Sequence, residues 1–332
     1  MIKKIIPIII LFIISLLTFS FWQKSRPAPK PSPSPTPQKI TIAMGFIPNI
    51  QFAPFYVAQK KGYFKKQNLE VNFDYGFETD LIALLANNKL QFVLGSGDQV
   101  ILARQKNLPV TYIANWYRRF PVCLVSLKSS NIYSPQDLVG KKIGTPAIFG
   151  ASYIGLKAIL AKELIPEKRV KIKTIGYTQA ESLVTKKVDV AVCYAMNEPV
   201  QLQEQGQDLT IFYVANYINF VSNGLITNEK TLNDNPQLVK SVIAAFLKGL
   251  KDTINNPDEA FTISRQFIPE LTSEKEEVQK KVLLESIKFW QAEDLGLSSK
   301  EDWQKSVDFM FESGFIDQKP ELDKLFTNQF VE

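Results

Sequence analysis

From residue 40 onward, the sequence alternates short apolar runs with amphipathic stretches, and this alternation constrains the possible folds more than any other feature. Runs such as "KITIAMG" and "QFVLGS" are typical of strands, whereas the stretches between them have helical periodicity. Strands are predicted at 39–45, 69–76, 91–96 and 110–117, and helices at 51–61, 79–89 and 98–107. Repeated strand–helix–strand units of this length predict a parallel sheet with helices on its faces.

The same alternation restarts near residue 141 and predicts a second α/β unit. Its strands are predicted within 141–147, 170–177, 188–195 and 209–217, and its helices at 151–164, 178–187 and 198–205. From residue 236 the chain changes to long amphipathic helices, whose apolar residues form a core-facing stripe. They are predicted at 236–256, 257–267, 276–291 and 300–314. We therefore expect two α/β lobes, with this helical segment packed on the first.

The first 39 residues differ in kind from the rest. Two lysines precede the uncharged run "IIPIIILFIISLLTFSFW", whose 18 residues would span about 27 Å as a helix. Residues 1–22 are thus predicted to be a membrane anchor or signal segment; the missing small-residue cleavage motif favours the anchor, and a cleaved, secreted form stays an alternative. Residues 23–39 carry six prolines at every second position from Pro27 to Pro37, which favours an extended linker.

The net charge of +6 lies entirely in this N-terminal segment, because residues 1–39 contain six Lys or Arg and no Asp or Glu. The rest of the chain is electrically balanced, so its charge gives no reason to expect a nucleic-acid partner. The chain has no histidine, which excludes Ser-His-Asp triads, Cys-His dyads and histidine-bearing zinc sites. It also lacks a G-x-x-x-x-G-K-[ST] loop and an H-E-x-x-H motif. No catalytic residue and no metal site is predicted.

Two cysteines, Cys123 and Cys193, each lie in an apolar strand-like run. We interpret them as small buried hydrophobic residues, and a disulfide between them stays open as an alternative.

Candidate binding residues follow the predicted strands, because ligands of open α/β sheets lie at the carboxyl ends of strands, near helix N-termini. These residues are aromatic rings, amides, a hydroxyl and a few carboxylates, a set that suits a flat heteroaromatic ligand. They are Asn49, Gln51, Phe52, Glu78, Asp98, Trp116, Tyr117, Ser152, Tyr153, Tyr194, Asn197 and Glu198. Structural roles remain open for some of them: Asp98, Ser152 and Asn197 also suit helix capping, and Phe52 also suits core packing.

Three stretches, "GFIPNIQFAPFYVAQKKGYF", "DLVGKKIGTP" and "NPQLVKSVIAAFLKGLKDTINNPDEAF", resemble the solute-binding proteins of ABC importers. The branch is the one with thiamine-pyrimidine, riboflavin and alkanesulfonate or nitrate binders and thiamine pyrimidine synthase. Over 40–315 the resemblance implies a two-lobed α/β clamp of the periplasmic-binding-protein type II class, with a hinge and C-terminal helices packed on lobe 1. Lobe 1 is expected to comprise 40–122 and 218–332, and lobe 2 to comprise 123–217.

Within that branch, "GDQVILAR", "GASYIGL" and "NEP" are most similar to the riboflavin-binding subgroup. The resemblance implies an extracytoplasmic, membrane-tethered, monomeric receptor without a cofactor, which delivers a planar aromatic vitamin to an ABC permease. Riboflavin is favoured, and the thiamine pyrimidine precursor comes next. Ligand contact is implied for Asn49, Gln51, Phe52, Asp98, Tyr153, Tyr194, Asn197 and Glu198. The alternatives are a synthase-like enzyme, against which the missing histidine and Cys-rich motif argue, and a tethered sensory domain.

Overall fold

Two mixed sheets form the framework of the computed structural model, which describes residues 36–331. The first sheet has the strand order β2-β1-β3-β10-β4 and the second has the order β7-β6-β8-β5-β9. The first contains β1 (Gln38–Met44), β2 (Leu69–Tyr75), β3 (Phe92–Ser96), β4 (Val110–Asn115) and β10 (Asn223–Asn228). The second contains β5 (Val122–Leu127), β6 (Lys142–Thr145), β7 (Lys171–Thr174), β8 (Val190–Tyr194) and β9 (Leu209–Tyr213).

Helices cover the faces of both sheets. Those of the first unit are α1 (Ala53–Lys60), α2 (Tyr63–Lys66), α3 (Glu78–Ala86) and α4 (Gly97–Gln105). Those of the second are α5 (Gly150–Lys162), α6 (Gln179–Val184) and α7 (Glu198–Glu204). The C-terminal segment forms α8 (Glu229–Asp234), α9 (Pro236–Asn255), α10 (Pro257–Ser264), α11 (Glu276–Trp290), α12 (Lys300–Glu312) and α13 (Leu322–Leu325). The helical periodicity of the sequence predicts all of these except the short α2, α8 and α13.

The expectation of parallel sheets is wrong for two strands. β10 runs antiparallel to β3 and β4, and β5 runs antiparallel to β8 and β9. The reason is the path of the two crossover segments, 116–121 and 214–222. β10 begins opposite Ser96, the last residue of β3, and β5 begins opposite Tyr194, the last residue of β8. A strand that enters a sheet at its carboxyl edge must run against its neighbours.

The C-terminal helices pack mainly on the first unit, as expected. α9 and α10 lie against α1, and α12 lies against α4. α11 also contacts α7 of the second unit, where Lys281 Nζ lies 2.5 Å from Glu204 Oε2. The helical segment therefore contacts both units.

The predicted anchor, 1–22, and all but the end of the predicted linker lie outside the described residues. In the part that the structure describes, no helix is long and apolar enough to cross a membrane. Cys123 and Cys193 are buried, free thiols that face each other across β5 and β8. This confirms the interpretation of the two cysteines as buried hydrophobic residues.

Close packing of α1 on α9 fixes the chain segment that enters the candidate site. The rings of Phe55 and Phe246 stack at 4.5 Å between the two helices. Gly249 of α9 lies so near α1 that an added Cβ would be 2.1 Å from the carbonyl oxygen of Pro54. Because α1 directly follows the turn at 49–52, this contact holds that turn against the first sheet.

Gly249→Ala is expected to lower the free energy of unfolding by about 1–3 kcal/mol, because the new methyl group forces α1 and α9 apart. Urea unfolding followed by circular dichroism measures the change. Lys251→Ala, at an exposed site on the same helix, is the control and is expected to stay within about 0.5 kcal/mol of the natural protein. An unchanged unfolding midpoint in the Gly249 variant would contradict the close helix contact.

Candidate functional site

A cavity of about 200 Å³ lies where the carboxyl edges of the two sheets meet. Both sheets supply its walls. The hydroxyl of Tyr194, at the end of β8, donates to Oδ1 of Asn223, at the start of β10, over 3.0 Å. This hydrogen bond joins the second sheet to the first at the cavity wall.

A turn after β1 presents two amides to the cavity. Asn49 precedes a short 3-10 helix, and its Oδ1 accepts from the backbone N–H of Gln51 at 3.0 Å and from the Gln51 side-chain amide at 3.1 Å. The hydroxyl of Tyr117 donates to Gln51 Oε1 over 3.2 Å. These bonds fix the amide groups in one orientation, which is what a site needs to read the polar edge of a ligand.

Aromatic rings form a floor under these amides, made of Phe52, Trp116 and Tyr117. The ring of Trp116 lies 5.9 Å from that of Phe52 and 4.8 Å from that of Tyr117. Behind it, Trp290 of α11 packs at 5.5 Å. Trp116 is only 3% exposed, and its Nε1 donates to no group of the described chain. The floor is thus a rigid surface that suits stacking by a flat ring.

The first unit contains two desolvated carboxyl groups, those of the half-buried Glu78 and the buried Asp98. Glu78, at the start of α3, lines the cavity and accepts from both the backbone N–H and the hydroxyl of Ser96. Burial raises its pKa to about 8, and the nearby charge of Asp98 acts in the same direction. Burial also raises the pKa of Asp98, whose Oδ2 accepts from the side chain of Gln99. The raised pKa favours the protonated form of Glu78, in which the carboxyl group can donate a hydrogen bond.

The second unit contributes a further set of polar groups at the start of α7. Glu198 accepts from the backbone N–H of Tyr194 at 3.0 Å and from the side chain of Asn197 at 3.1 Å. Burial raises the pKa of Glu198. Ser152 of α5 and Gln179 of α6 also line this wall. Hydrogen-bonding groups therefore face the cavity from both units.

Three aromatic rings meet at the mouth of the cavity, and we call them the aromatic clasp: Phe46 and Phe77 of the first unit and Tyr177 of the second. The ring of Tyr177 lies 4.8 Å from that of Phe46 in an edge-to-face arrangement and 6.0 Å from that of Phe77 in a stacked one. Phe77 is 59% exposed and Tyr177 is 45% exposed. Exposed rings that contact one another across two units form a non-covalent closure.

The structure brings most of the sequence-predicted residues together. Those that line the cavity are Asn49, Gln51, Phe52, Glu78, Trp116, Tyr117, Ser152, Tyr194, Asn197 and Glu198. Asp98 lies behind Gln99 rather than in the wall. Tyr153 points away from the cavity: its hydroxyl donates to Glu167 over 3.0 Å, and its ring packs on Phe315. Contact with a ligand stays a prediction for every member of the set.

Sequence reasoning missed several wall residues: Phe46, Phe77, Gln99, Tyr177, Gln179 and Asn223. The signal for Phe77 and Tyr177 was available, since Phe77 follows the predicted strand 69–76 and Tyr177 ends the predicted strand 170–177. Asn223 gave no such signal, because it begins the unpredicted strand β10. No cluster of potential metal ligands occurs among residues 36–331.

Comparison with known proteins gives matches over most of the chain. Residues 49–260 match the family described as "NMT1/THI5 like". The chain is 41% identical to the riboflavin-binding protein RibY of Chloroflexus aurantiacus, over 89% of this chain and 86% of the relative. It is 26% identical to the formylaminopyrimidine-binding protein of Halalkalibacterium halodurans, over 88% and 90% of the two chains. It is 24% identical to the 4-amino-5-hydroxymethyl-2-methylpyrimidine phosphate synthase of Legionella pneumophila, over 88% and 92%.

Solved structures share the fold. The periplasmic aliphatic sulphonate binding protein SsuA of Escherichia coli superposes with a TM-score of 0.70 at 11% identity, over 87% of this chain and 91% of that one. SsuA of Xanthomonas axonopodis pv. citri, bound to MOPS, gives 0.71 at 10% identity, over 89% and 100%. These superpositions confirm the predicted periplasmic-binding-protein fold.

Proposed function

The chain belongs to the NMT1/THI5-like family, and from this premise we propose that it is the extracytoplasmic solute-binding component of an ABC importer and that its ligand is riboflavin. The observation that carries the proposal is the cavity itself. It combines a floor of three aromatic rings with amide and carboxyl groups from both units, which suits a flat heteroaromatic ligand with polar edges. The relative at 41% identity is a riboflavin-binding protein, which supports the choice of ligand.

Ligand capture is proposed to work as the closure of two lobes, 40–122 with 218–332 and 123–217, about the crossover segments. A ligand in the cavity touches groups of both sheets, so it stabilises the closed arrangement over an open one. The aromatic clasp then closes the mouth over the ligand. We propose that the closed, monomeric protein docks on an ABC permease, and that residues 1–22 tether it to the membrane, with the proline-rich segment as a spacer.

Tyr177→Ala is expected to speed dissociation of the ligand about tenfold while changing its association rate little. The reason is that Tyr177 is the one member of the aromatic clasp that the second unit supplies, and loss of its ring contacts favours the open state. Stopped-flow displacement of bound flavin measures the rate. Tyr133→Ala removes a tyrosine that is 65% exposed and lies outside the cavity, and this control is expected to dissociate at the natural rate. Equal rates for the two variants would contradict a closing role for the clasp.

A second candidate is pyrimidine synthesis, which the 24% identity to the Legionella synthase brings into consideration. Calorimetric titration of the full-length protein separates the possibilities. We expect saturable one-to-one binding of riboflavin, weaker binding of 4-amino-5-hydroxymethyl-2-methylpyrimidine, and no binding of an alkanesulfonate. Tighter binding of the pyrimidine, or formation of its phosphate in a product assay, would overturn the riboflavin proposal.

A further inference from the structure

The charge of the cavity wall restricts the ligand further. Its polar groups are amides, hydroxyls and carboxyl groups, and none of the described residues that line it is Lys or Arg. The two arginines that directly follow the aromatic floor in sequence are turned elsewhere. Arg118 donates to the carbonyl oxygen of Leu297 at 2.8 Å, and Arg119 donates to Asn216 Oδ1 at 2.7 Å. The wall therefore offers no cation to pair with an anionic ligand.

Helix N-termini are the usual anion-binding groups of an α/β fold, and here three of them carry their own acids. Glu78, Asp98 and Glu198 lie in the first turns of α3, α4 and α7. Glu78 accepts from the backbone N–H of Ser96, and Glu198 accepts from that of Tyr194. Two of these acids, Glu78 and Glu198, line the cavity and place carboxyl oxygens at helix ends that would otherwise favour a phosphate or sulfonate.

The start of α5, which also lies in the wall, is free of such an acid. α5 has no acidic residue in its first turn, and Phe149 before it makes no side-chain capping bond. The N-terminal end of α5 carries about half an elementary positive charge, which stabilises a desolvated phosphate less than a full cation would. Its N–H groups suit a neutral carbonyl or hydroxyl oxygen. The proton that burial keeps on Glu78, whose pKa is raised to about 8, suits the same kind of acceptor.

We propose that the cavity selects the uncharged form of its aromatic ligand and excludes phosphate esters of the same compound. This inference rests on the proposed function, because it concerns the ligand of that site. It sets this chain apart from proteins of the same fold that take sulfonates.

The test compares two matched pairs of ligands on the full-length protein by calorimetry. One pair is riboflavin and riboflavin 5′-phosphate; the other is 4-amino-5-hydroxymethyl-2-methylpyrimidine and its phosphate. In each pair the phosphate is expected to bind about 100-fold more weakly, because its charge is buried without a partner. Equal affinities within a pair would overturn the charge selection and leave the proposed function standing. If the pyrimidine binds more tightly than its phosphate but riboflavin does not bind, riboflavin is overturned as the ligand. The same result supports the selection against the charged form.

A charge-adding variant gives an independent readout. Thr79 of α3 lines the cavity, so Thr79→Lys places a cation at the wall. This variant is expected to reduce the difference in affinity between each ligand and its phosphate about tenfold. Ala83→Lys adds the same charge to the exposed face of the same helix, outside the cavity. This control is expected to leave the difference in affinity between the paired ligands as it is in the natural protein. An equal narrowing in both variants would show a general surface effect and overturn the assignment to the wall.

Discussion

Trp116→Ala is expected to weaken riboflavin binding about 10- to 100-fold, the largest loss at any single position of the site. The Trp116 ring lies at the centre of the aromatic floor, in contact with Phe52 and Tyr117. Stacking of one heteroaromatic ring on one aromatic side chain stabilises a complex by about 1–3 kcal/mol, which corresponds to this range. Flavin titration of the purified variant measures it.

The chain offers a matched control for this experiment in Trp303. It is buried like Trp116 and stacks on Phe326 at 5.4 Å, but it does not line the cavity. Each Trp→Phe change removes a similar volume, so both variants are expected to lose stability. Only Trp116→Phe is expected to lose affinity, by about tenfold. Equal affinities for the two phenylalanine variants would contradict the role of Trp116 as the stacking surface.

The second large effect is a fall in stability as pH rises. The pKa of Glu78 is about 8 in the folded chain against 4.5 when exposed, so the folded state holds a proton that the unfolded state releases between those values. The stabilising contribution is therefore fully present below pH 4.5 and is lost as pH rises towards 8. Asp98 and Glu198, whose pKa values burial also raises, act in the same direction. The free energy of unfolding is expected to fall by on the order of 4–5 kcal/mol over this window.

Urea unfolding at several pH values, with circular dichroism as the signal, measures this fall. Glu78→Gln keeps the shape of the side chain without the ionisable group and is expected to flatten the dependence between pH 5 and pH 8. Asp80→Asn changes an exposed carboxylate in the same first turn of α3 and is expected to retain the natural slope. A natural protein whose stability rises with pH across this window would contradict the raised pKa of Glu78.

The strand–helix alternation predicted the two units and most of their helices and strands, because burial of one face leaves a periodic mark in the sequence. It did not predict the direction of β5 and β10. Direction depends on the path of the crossover segments, and these two stretches have no periodic pattern that reports it. β10, "NGLITN", has only two large apolar residues, Leu225 and Ile226, and they are adjacent, so it shows no alternation that would assign it to a strand.

Residues of the site could be predicted from the sequence where they lie at or near the ends of strands. Trp116 directly follows β4 and Asn49 lies in the turn after β1, and both line the cavity. Tyr153 follows a helix start rather than a strand end, and helical geometry turns it away from its neighbour Ser152, which does line the wall. Asn223 lies in the cavity wall because the crossover segment 214–222 leads into β10, and the sequence did not predict this connection. Residues brought in by long-range connections leave no local signal.

The central claim is that a planar vitamin binds on the aromatic floor between the two sheets. Titrating riboflavin with the full-length protein, while following flavin fluorescence, tests it most directly. We expect strong, saturable quenching at one flavin per chain, and weaker quenching with Trp116→Phe at the same protein concentration. A flavin signal that stays unchanged across the titration, or quenching equally strong in both proteins, would contradict the claim.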